Sequence, residues 1–302
     1  STLVGEPQSK FKMASKYNEA TDIYQADIRH PLQSIGSGQS TEVKTYLFAG
    51  AKEVNTIKTY QKEADFADFI DTVDWGWFFF LTKPIFSLLD YCNKLVGNMG
   101  WAIILLTLVV KTVLLPLAYK SYVSMSKLKQ LQPEMEKIKK RAGDDRMKLQ
   151  QEMMALYKKE KVNPAAGCLP ILLQIPIFFS LYKVLFVTIE VRHAPFIGWI
   201  TDLSAPDPSS ILNLFGLLPF SPPGPESFLV IFSIGVYPIL MGVTMWLQQK
   251  LNPAPTDKTQ QMIFAWMPWI FMFLLGQFSS GLVIYWVANN IITFAQQYFI
   301  MA

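Results

Sequence analysis

The residue with the strongest chemical implication is Lys111, which lies in the middle of the apolar run WAIILLTLVVKTVLLPLAY, residues 101–119. An ammonium group at that depth cannot comfortably snorkel to either surface, and Lys at the centre of an isolated membrane helix costs about 2.5–3.5 kcal/mol. The cost is tolerable only if the charge faces water or polar partners inside the protein. Thr107 falls one turn earlier on the same helical face and extends the polar strip. Polar side chains also interrupt other apolar runs: Gln174 in CLPILLQIPIFF and Thr244 in the run 228–247. The run 282–301 carries Trp286, Asn289, Asn290, Thr293, Gln296 and Gln297 at helical spacing. Together these can line one cavity with Lys111, open toward the cytoplasm. The plainer alternative is that the amides tie helices together, at about 1 kcal/mol each. That explains Asn289 or Gln297 taken singly, but not Lys111.

Other chemistries lack their residues. No Gly is followed by Lys, so no GxxxxGK phosphate loop exists. No Asp lies in an apolar run, which removes an aspartyl intramembrane protease, and His30 and His193 both fall outside the runs. Cys92 and Cys168 are far apart and form neither CxxC nor a Cys/His cluster, so neither metal nor disulfide is expected. We find no catalytic constellation; the expectation is a protein that is not an enzyme and uses no cofactor.

The elements that must hold these residues are membrane helices. Of 302 residues 51% are hydrophobic and only 17% charged, below the roughly 25% of soluble domains. The charge is also uneven. Residues 1–97 carry ten Lys/Arg and twelve Asp/Glu, whereas long stretches beyond residue 98 have almost none. Five spans are expected, near 101–119, 168–190, 228–247, 264–277 and 282–301. The fourth, at nearly fifteen residues, is shorter than the ~20 that cross an ordinary hydrocarbon core. Residues 120–161 hold twelve Lys/Arg against six acids, so this loop is cytoplasmic by the positive-inside bias. Residues 1–97 and 191–227 then lie outside and the C-terminus inside. A nucleic-acid binder would spread its basic residues over a folded domain with aromatic platforms, so no direct nucleic-acid partner is expected.

Within the basic loop, Met125, Leu128, Leu131, Met135 and Ile138 recur at spacings of three and four. After Gly143-Asp144-Asp145 a second stripe follows in Met147, Met153, Met154, Leu156 and Tyr157. Gly as stop and Asp as N-cap predict an antiparallel helical hairpin over 126–162. It is either a plain connector or, through its Met-rich face, a docking surface. The shorter loop Asn252–Gln261 is placed on the same side. Before the spans, the aromatic cluster Trp75, Trp77, Phe78, Phe79 and Phe80 is interrupted at Lys83-Pro84; Ile85, Leu88, Leu89 and Cys92 then share one face. Such a run is too short to span, and an amphipathic helix in the interface is expected over 74–97. Residues 1–73 look soluble, with a strand over Val43–Gly50 and a loop around Gln33–Gln39, as the end of a β-domain. The sequence begins at Ser1 with neither Met nor a signal peptide, and a targeting helix is expected upstream.

Collinear stretches then carry a resemblance: FAGAK (48–52), VDWGWFFFLTKPIFSLL (73–89), VGNMGWAIILLTLVVKTVLLPL (96–117) and MSKLKQLQPEMEKIK (125–139). It continues in QQEMMALYKKEKVNPAAGCLPILLQIPIFFSLY (150–182), WITDLSAPDP (199–208) and SSGLVIYWVANN (279–290). Over roughly 43–301 the chain resembles the YidC/Oxa family of membrane protein insertases. The resemblance implies an all-α polytopic membrane fold: a five-helix transmembrane core at 98–302 with its cytoplasmic hairpin. Ahead of it stand the end of a periplasmic β-sandwich at 1–73 and a periplasmic interfacial helix at 74–97. It implies a hydrophilic groove open to cytoplasm and lipid, with Lys111 at a motif position that is usually Arg and Thr107 at a second groove position. Leu172, Ile175, Phe178, Tyr285 and Trp286 match the region of expected substrate contact.

The function expected from this resemblance is insertion and chaperoning of inner-membrane proteins without nucleotide hydrolysis by this chain. Implied partners are nascent membrane proteins, the lipid bilayer, the Sec translocon, and the ribosome or signal recognition particle pathway. A small-solute transporter or channel built round the same cavity is the alternative from another class, though its hallmark, an inverted repeat, is not evident. A structural assembly factor that translocates nothing is a third.

Overall fold

The computed structural model describes residues 2–7, 9–143, 145–163, 169–224, 226–252 and 258–301. Cys168, the start of the second expected span, and residues 253–257 of the loop Asn252–Gln261 lie outside the described residues. The chain divides into two units, Ser1–Asp74 with Val187–Glu190 and Trp75–Phe186 with Val191–Ala302.

In the first unit, β1 (Thr2–Gly5) pairs antiparallel with β4 (Thr45–Phe48), Thr2 opposite Phe48. β2 (Lys12–Asn18) pairs with β3 (Ile23–Arg29), and Tyr17 stacks on Tyr24 with ring centroids 4.4 Å apart. The predicted strand over Val43–Gly50 is β4. β2 and β3 were not foreseen, because they are exposed almost throughout and so lack the in-out alternation of a half-buried strand. Helix α1 (Val54–Glu63) buries Val54 and Ile57, and the Val54 amide donates to Glu190 Oε1 at 3.0 Å. Phe48, Phe66 and Phe69 pack edge to face at 5.5–5.6 Å around the 3-10 turn Phe69–Thr72.

The second unit is helical. Helix α2 (Phe79–Val96) runs through Pro84 without a break; one proline near the start removes a single ladder bond. It buries Thr82, Ile85, Phe86, Leu89 and Cys92; of the expected face, Ile85, Leu89 and Cys92 are buried and Leu88 is half-buried. Gly97, at φ 71°, stops α2 in the left-handed conformation that Gly adopts without a Cβ penalty. Asn98 then accepts from the Trp101 amide at 3.2 Å and starts α3 (Met99–Gln130).

The first span and the start of the hairpin are therefore one helix of 32 residues with Pro116 inside it. The stripe Met125 to Ile138 is split at Leu131 between α3 and α4 (Gln132–Ala142). α5 (Arg146–Lys159) begins at Asp145, whose carboxylate accepts from the Lys148 amide at 3.0 Å. Helices α6 (Leu169–Val187), α7 (Val236–Leu251), α8 (Lys258–Leu275) and α9 (Ser280–Met301) complete the unit.

Two boundaries differ from the sequence expectation. The third apolar run is not one helix: Phe228–Phe232 is a 3-10 turn, and α7 starts only after Gly235. A Cβ on Gly235 would lie 2.4 Å from Asp207 Cγ, so the chain must pass there without a side chain. Helix α8 has 18 residues rather than nearly fifteen, because it begins in the polar stretch at Lys258. Helix α9 packs against α3 and α7, and α2 against α3. Among the described residues one helix, Met99–Gln130, is long and apolar enough to cross a membrane; Leu172–Val187 and Thr259–Leu275 are shorter apolar helices. Outward-facing Val113, Leu172, Ile270 and Leu274 are all more than half exposed, an arrangement that water disfavours.

Candidate functional site

The polar strip of α3 meets α6 and α9. Lys111 Nζ donates to Gln174 Oε1 at 3.2 Å, and Gln174 Nε2 donates in turn to the Tyr285 hydroxyl. From α9, Gln296 Nε2 approaches the Lys111 carbonyl at 3.4 Å. Among the described residues no carboxylate pairs with Lys111. The cation is thus held by a neutral amide, whose oxygen orients the ammonium without cancelling its charge.

Two pockets adjoin at this contact. One, with about 30 Å³ of water-accessible volume, follows α3 from Lys111 toward the hairpin and is lined by Leu114, Leu117, Ala118, Tyr122 and Gln296. The other, about 10 Å³, runs the opposite way past Thr107, Leu106, Tyr285 and Asn289. Lys111 and Gln174 line both. Thr107 is buried and satisfies its hydroxyl on the Ile103 carbonyl at 2.7 Å, leaving its methyl to the pocket wall. Asn289 Oδ1 is buried in the second pocket without a protein hydrogen-bond partner.

The remaining polar candidates are placed elsewhere. Asn290 Nδ2 donates to Thr244 Oγ1 at 3.2 Å, linking α9 to α7, and Thr293 Oγ1 returns to the Asn289 carbonyl at 2.6 Å. One turn further, Gln297 Nε2 donates to Asn252 Oδ1 at 3.0 Å. For Thr244, Asn290 and Thr293 this geometry is that of helix ties, not of the Lys111 pocket.

The expected contact residues also divide. Leu172 and Ile175 face outward on α6, at 59% and 44% exposure. Phe178 packs edge to face on Trp286 at 4.7 Å, and Trp286 reaches Phe271 of α8 at 6.1 Å. Tyr285 is turned inward against Gln174.

Residues 199–210, matched in the sequence only as a string, bond to the starts of α7 and α9. Asp207 Oδ1 accepts from Trp199 Nε1 at 2.9 Å and from the Ser209 hydroxyl at 2.6 Å. Its Oδ2 accepts from the Tyr237 amide at 3.0 Å, while Ser209 Oγ accepts from the Val236 amide at 3.0 Å. Two orphan donors of the first turn of α7 are thereby satisfied. The start of α9 is tied to the same segment: the Ser280 amide and hydroxyl both donate to the Ala205 carbonyl, and the Gly281 amide to that of Leu203. No local signal marked Asp207 and Ser209, which stand 29 and 27 residues before the helix start at Val236 that they cap. Nearby, burial alone would raise the Asp202 carboxyl. Hydrogen bonds from the Ser204 hydroxyl and amide and the His193 amide, with the His193 ring 3.1 Å away, outweigh it and hold the carboxyl below its usual range.

In the hairpin, Met125, Leu128, Met135 and Leu156 are buried, whereas Met147 and Met154 remain exposed at 72% and 50%. The Met-rich face is thus half used for packing.

Comparison with known proteins follows the same division of the chain. Residues 91–302 match the family model described as 60Kd inner membrane protein, and residues 1–88 match that of the YidC periplasmic domain. A protein of Dinoroseobacter shibae named membrane protein insertase YidC is 66% identical over 300 residues, covering 99% of this chain and 50% of the relative. One of the same name from Roseobacter denitrificans is 67% identical over 302 residues, covering 100% and 50%. The chain therefore spans about half the length of the curated relatives it matches. A crystal structure described as an active YidC insertase with its first transmembrane domain resolved is similar in fold, with a TM-score of 0.57 at 24% identity. That match covers 99% of this chain and 68% of the other.

Proposed function

Since the chain belongs to the 60Kd inner membrane protein family, that of YidC, we propose that it is the core of an insertase for inner-membrane proteins. In this reading α3, α6, α7, α8 and α9 cross the membrane, α2 lies in the outer interface, and the unit before it is periplasmic. The hairpin α4–α5 and the C-terminus are cytoplasmic, following the net charge of +6 over 120–161. The two pockets about Lys111 are parts of one hydrophilic groove that opens on the hairpin side.

The observation that carries this reading is an uncompensated cation held by Gln174 between two pockets, with apolar Leu172 and Ile175 exposed beside it. A groove of this kind brings water partway into the bilayer and shortens the hydrocarbon path of a substrate's polar tail. The substrate's apolar segment slides along α6 and the Phe178–Trp286 pair into lipid. Burial of that segment, about 25 cal/mol per Å² of apolar surface, drives the step without nucleotide hydrolysis. The exposed methionines of α5 are a docking surface for the ribosome, the targeting particle or the emerging substrate, and the Sec translocon is a partner for larger clients.

The test is reconstitution of the full-length protein in liposomes without ATP, with a short single-span protein as substrate. Protease-protected insertion above the empty-liposome level is the expected result. Insertion at the empty-liposome level by correctly folded protein would overturn the reading.

A further inference from the structure

The described residues of 211–232, between the segment 199–210 and the start of α7, are built inside out for a loop in water. They include one acidic residue, Glu226, and no Lys or Arg. Large apolar side chains point away from the protein: Leu217 is 83% exposed and Phe228 76%, with Leu214, Phe220 and Leu229 at half or more. One polar side chain turns inward, while Ser221 and Glu226 stay exposed. Asn213 is buried, accepts from the Gly216 amide at 3.1 Å and donates to the Phe220 carbonyl at 3.3 Å.

Much of the backbone is satisfied locally. The Phe215 amide donates to the Ser210 carbonyl, Leu218 to Asn213, Val230 to Ser227 and Ser233 to Val230, and the Ile211 amide joins the two halves at the Ile234 carbonyl. This is what a non-helical segment needs if little water reaches it. Leu214 and Phe215 also hold left-handed φ angles of 50° and 58°, at roughly 1–2 kcal/mol per residue. In water that strain would serve only to present two bulky apolar groups to solvent. In hydrocarbon, each such side chain gains about 1.5–3 kcal/mol on full burial.

We infer that segment 211–232 is embedded in the outer lipid leaflet, with acyl chains covering the side chains of Leu217, Phe220 and Phe228. Lipid is favoured over a protein partner by continuity. Gln277 Nε2 donates to the Val230 carbonyl at 2.9 Å and Phe232 packs on Phe273 at 6.3 Å. These contacts join the segment to the outward face of α8, where Trp266, Ile270 and Leu274 are exposed. Charge points the same way. A segment without cations is held by apolar transfer alone, unlike a basic amphipathic helix drawn to anionic headgroups. Asp202 and Asp207 mark its polar edge. The inference rests on the membrane reading of α8 given above.

The test uses the full-length protein with native cysteines replaced and single cysteines at Leu217, Phe228, Ile270 on α8 and Ser37 in the first unit. Each is labelled with an environment-sensitive fluorophore and reconstituted in phosphatidylcholine vesicles, with quenching by aqueous iodide or by nitroxide placed shallowly on the lipid chain. At Leu217 and Phe228 we expect a blue-shifted emission and iodide quenching below about one third of the Ser37 value. Strong nitroxide quenching should accompany it and stay unchanged when anionic lipid is added. Iodide quenching at both sites equal to that at Ser37, with Ile270 still quenched by nitroxide, would overturn the inference and leave the membrane reading of α8 intact. Loss of nitroxide quenching at Ile270 as well would overturn both. Protection at Leu217 that grows with the protein-to-lipid ratio would overturn it in favour of a second copy.

Discussion

Replacing Lys111 by Met should move stability and activity in opposite directions. The ammonium has one protein hydrogen bond, to Gln174 Oε1 at 3.2 Å, and no carboxylate partner among the described residues. An unpaired charge inside a helical core is a desolvation cost, and an apolar side chain of similar volume there is commonly neutral or stabilising by 1–4 kcal/mol. The melting temperature of Lys111→Met should therefore equal or exceed that of the parent. Activity should fall if, as proposed, the charge attracts a passing acidic tail. At an effective dielectric near 20, two unit charges about 4 Å apart attract by about 4 kcal/mol before desolvation is subtracted. A net 1–2 kcal/mol at the barrier changes the rate about five- to thirtyfold. Lys111→Arg should retain activity, while Lys111→Met and Lys111→Glu should slow acidic-tailed substrates by that factor and neutral-tailed ones much less. The assay is protease protection of matched acidic and neutral substrates in proteoliposomes, beside thermal unfolding in detergent. Equal rates for all variants on both substrates would refute the electrostatic argument. A marked loss of stability in Lys111→Met would refute the claim that the cation is a structural cost.

Single cysteines at Ser37 and Thr201 should react with an impermeant thiol reagent from outside intact cells, and one at Gly143 only from inside; outside labelling at Gly143 would invert the topology. Deletion of 133–158 should abolish insertion while the protein stays membrane-integrated, and normal insertion would reduce the hairpin to a connector. Asp207→Ala removes the acceptor of the Tyr237 amide and the Trp199 indole and should cost about 0.5–2 kcal/mol in thermal unfolding; an unchanged melting temperature would count against the capping role. Asp202 has a depressed carboxyl, so its contribution is complete above the unfolded value of about 3.9 and is lost as pH falls through the folded value. The unfolding midpoint should thus drop in acid, and less so in Asp202→Asn, as pH-dependent melting would read directly.

What could be foreseen from residues alone was what depends on near neighbours in the chain. The polar strip of Thr107 and Lys111, the buried face of α2 and the Asp145 cap all follow from spacings of three or four residues. What stayed hidden depends on distance along the chain. Gln174 meets Tyr285 across 111 residues, Lys111 meets Gln296 across 185, and Asn290 meets Thr244 across 46. Periodicity places each residue on a face, but cannot say which faces meet. Thr244, Asn290 and Thr293 therefore looked interchangeable with Gln174 until packing separated helix ties from pocket wall. The break before α7 was hidden for another reason. Composition over 228–247 is apolar but for Ser233 and Thr244 and marks no break, while the stop is set by Gly235 passing against Asp207, a residue 28 positions earlier.

The continuity of α3 has a mechanical consequence. One rod carries Lys111 and, past Pro116, extends to the root of the hairpin at Gln130. Pro116 cannot bond the Thr112 carbonyl, so bending is cheapest there. From that point to Gln130 the rod is about 21 Å long, and a rotation of about 10° swings its tip by about 4 Å. Pro116 is then a fulcrum between an arm that can be loaded from solution and the arm that carries the cation, only five residues from the bend. A heavy particle leaning on the hairpin would tilt the wall of the pocket without touching anything inside it.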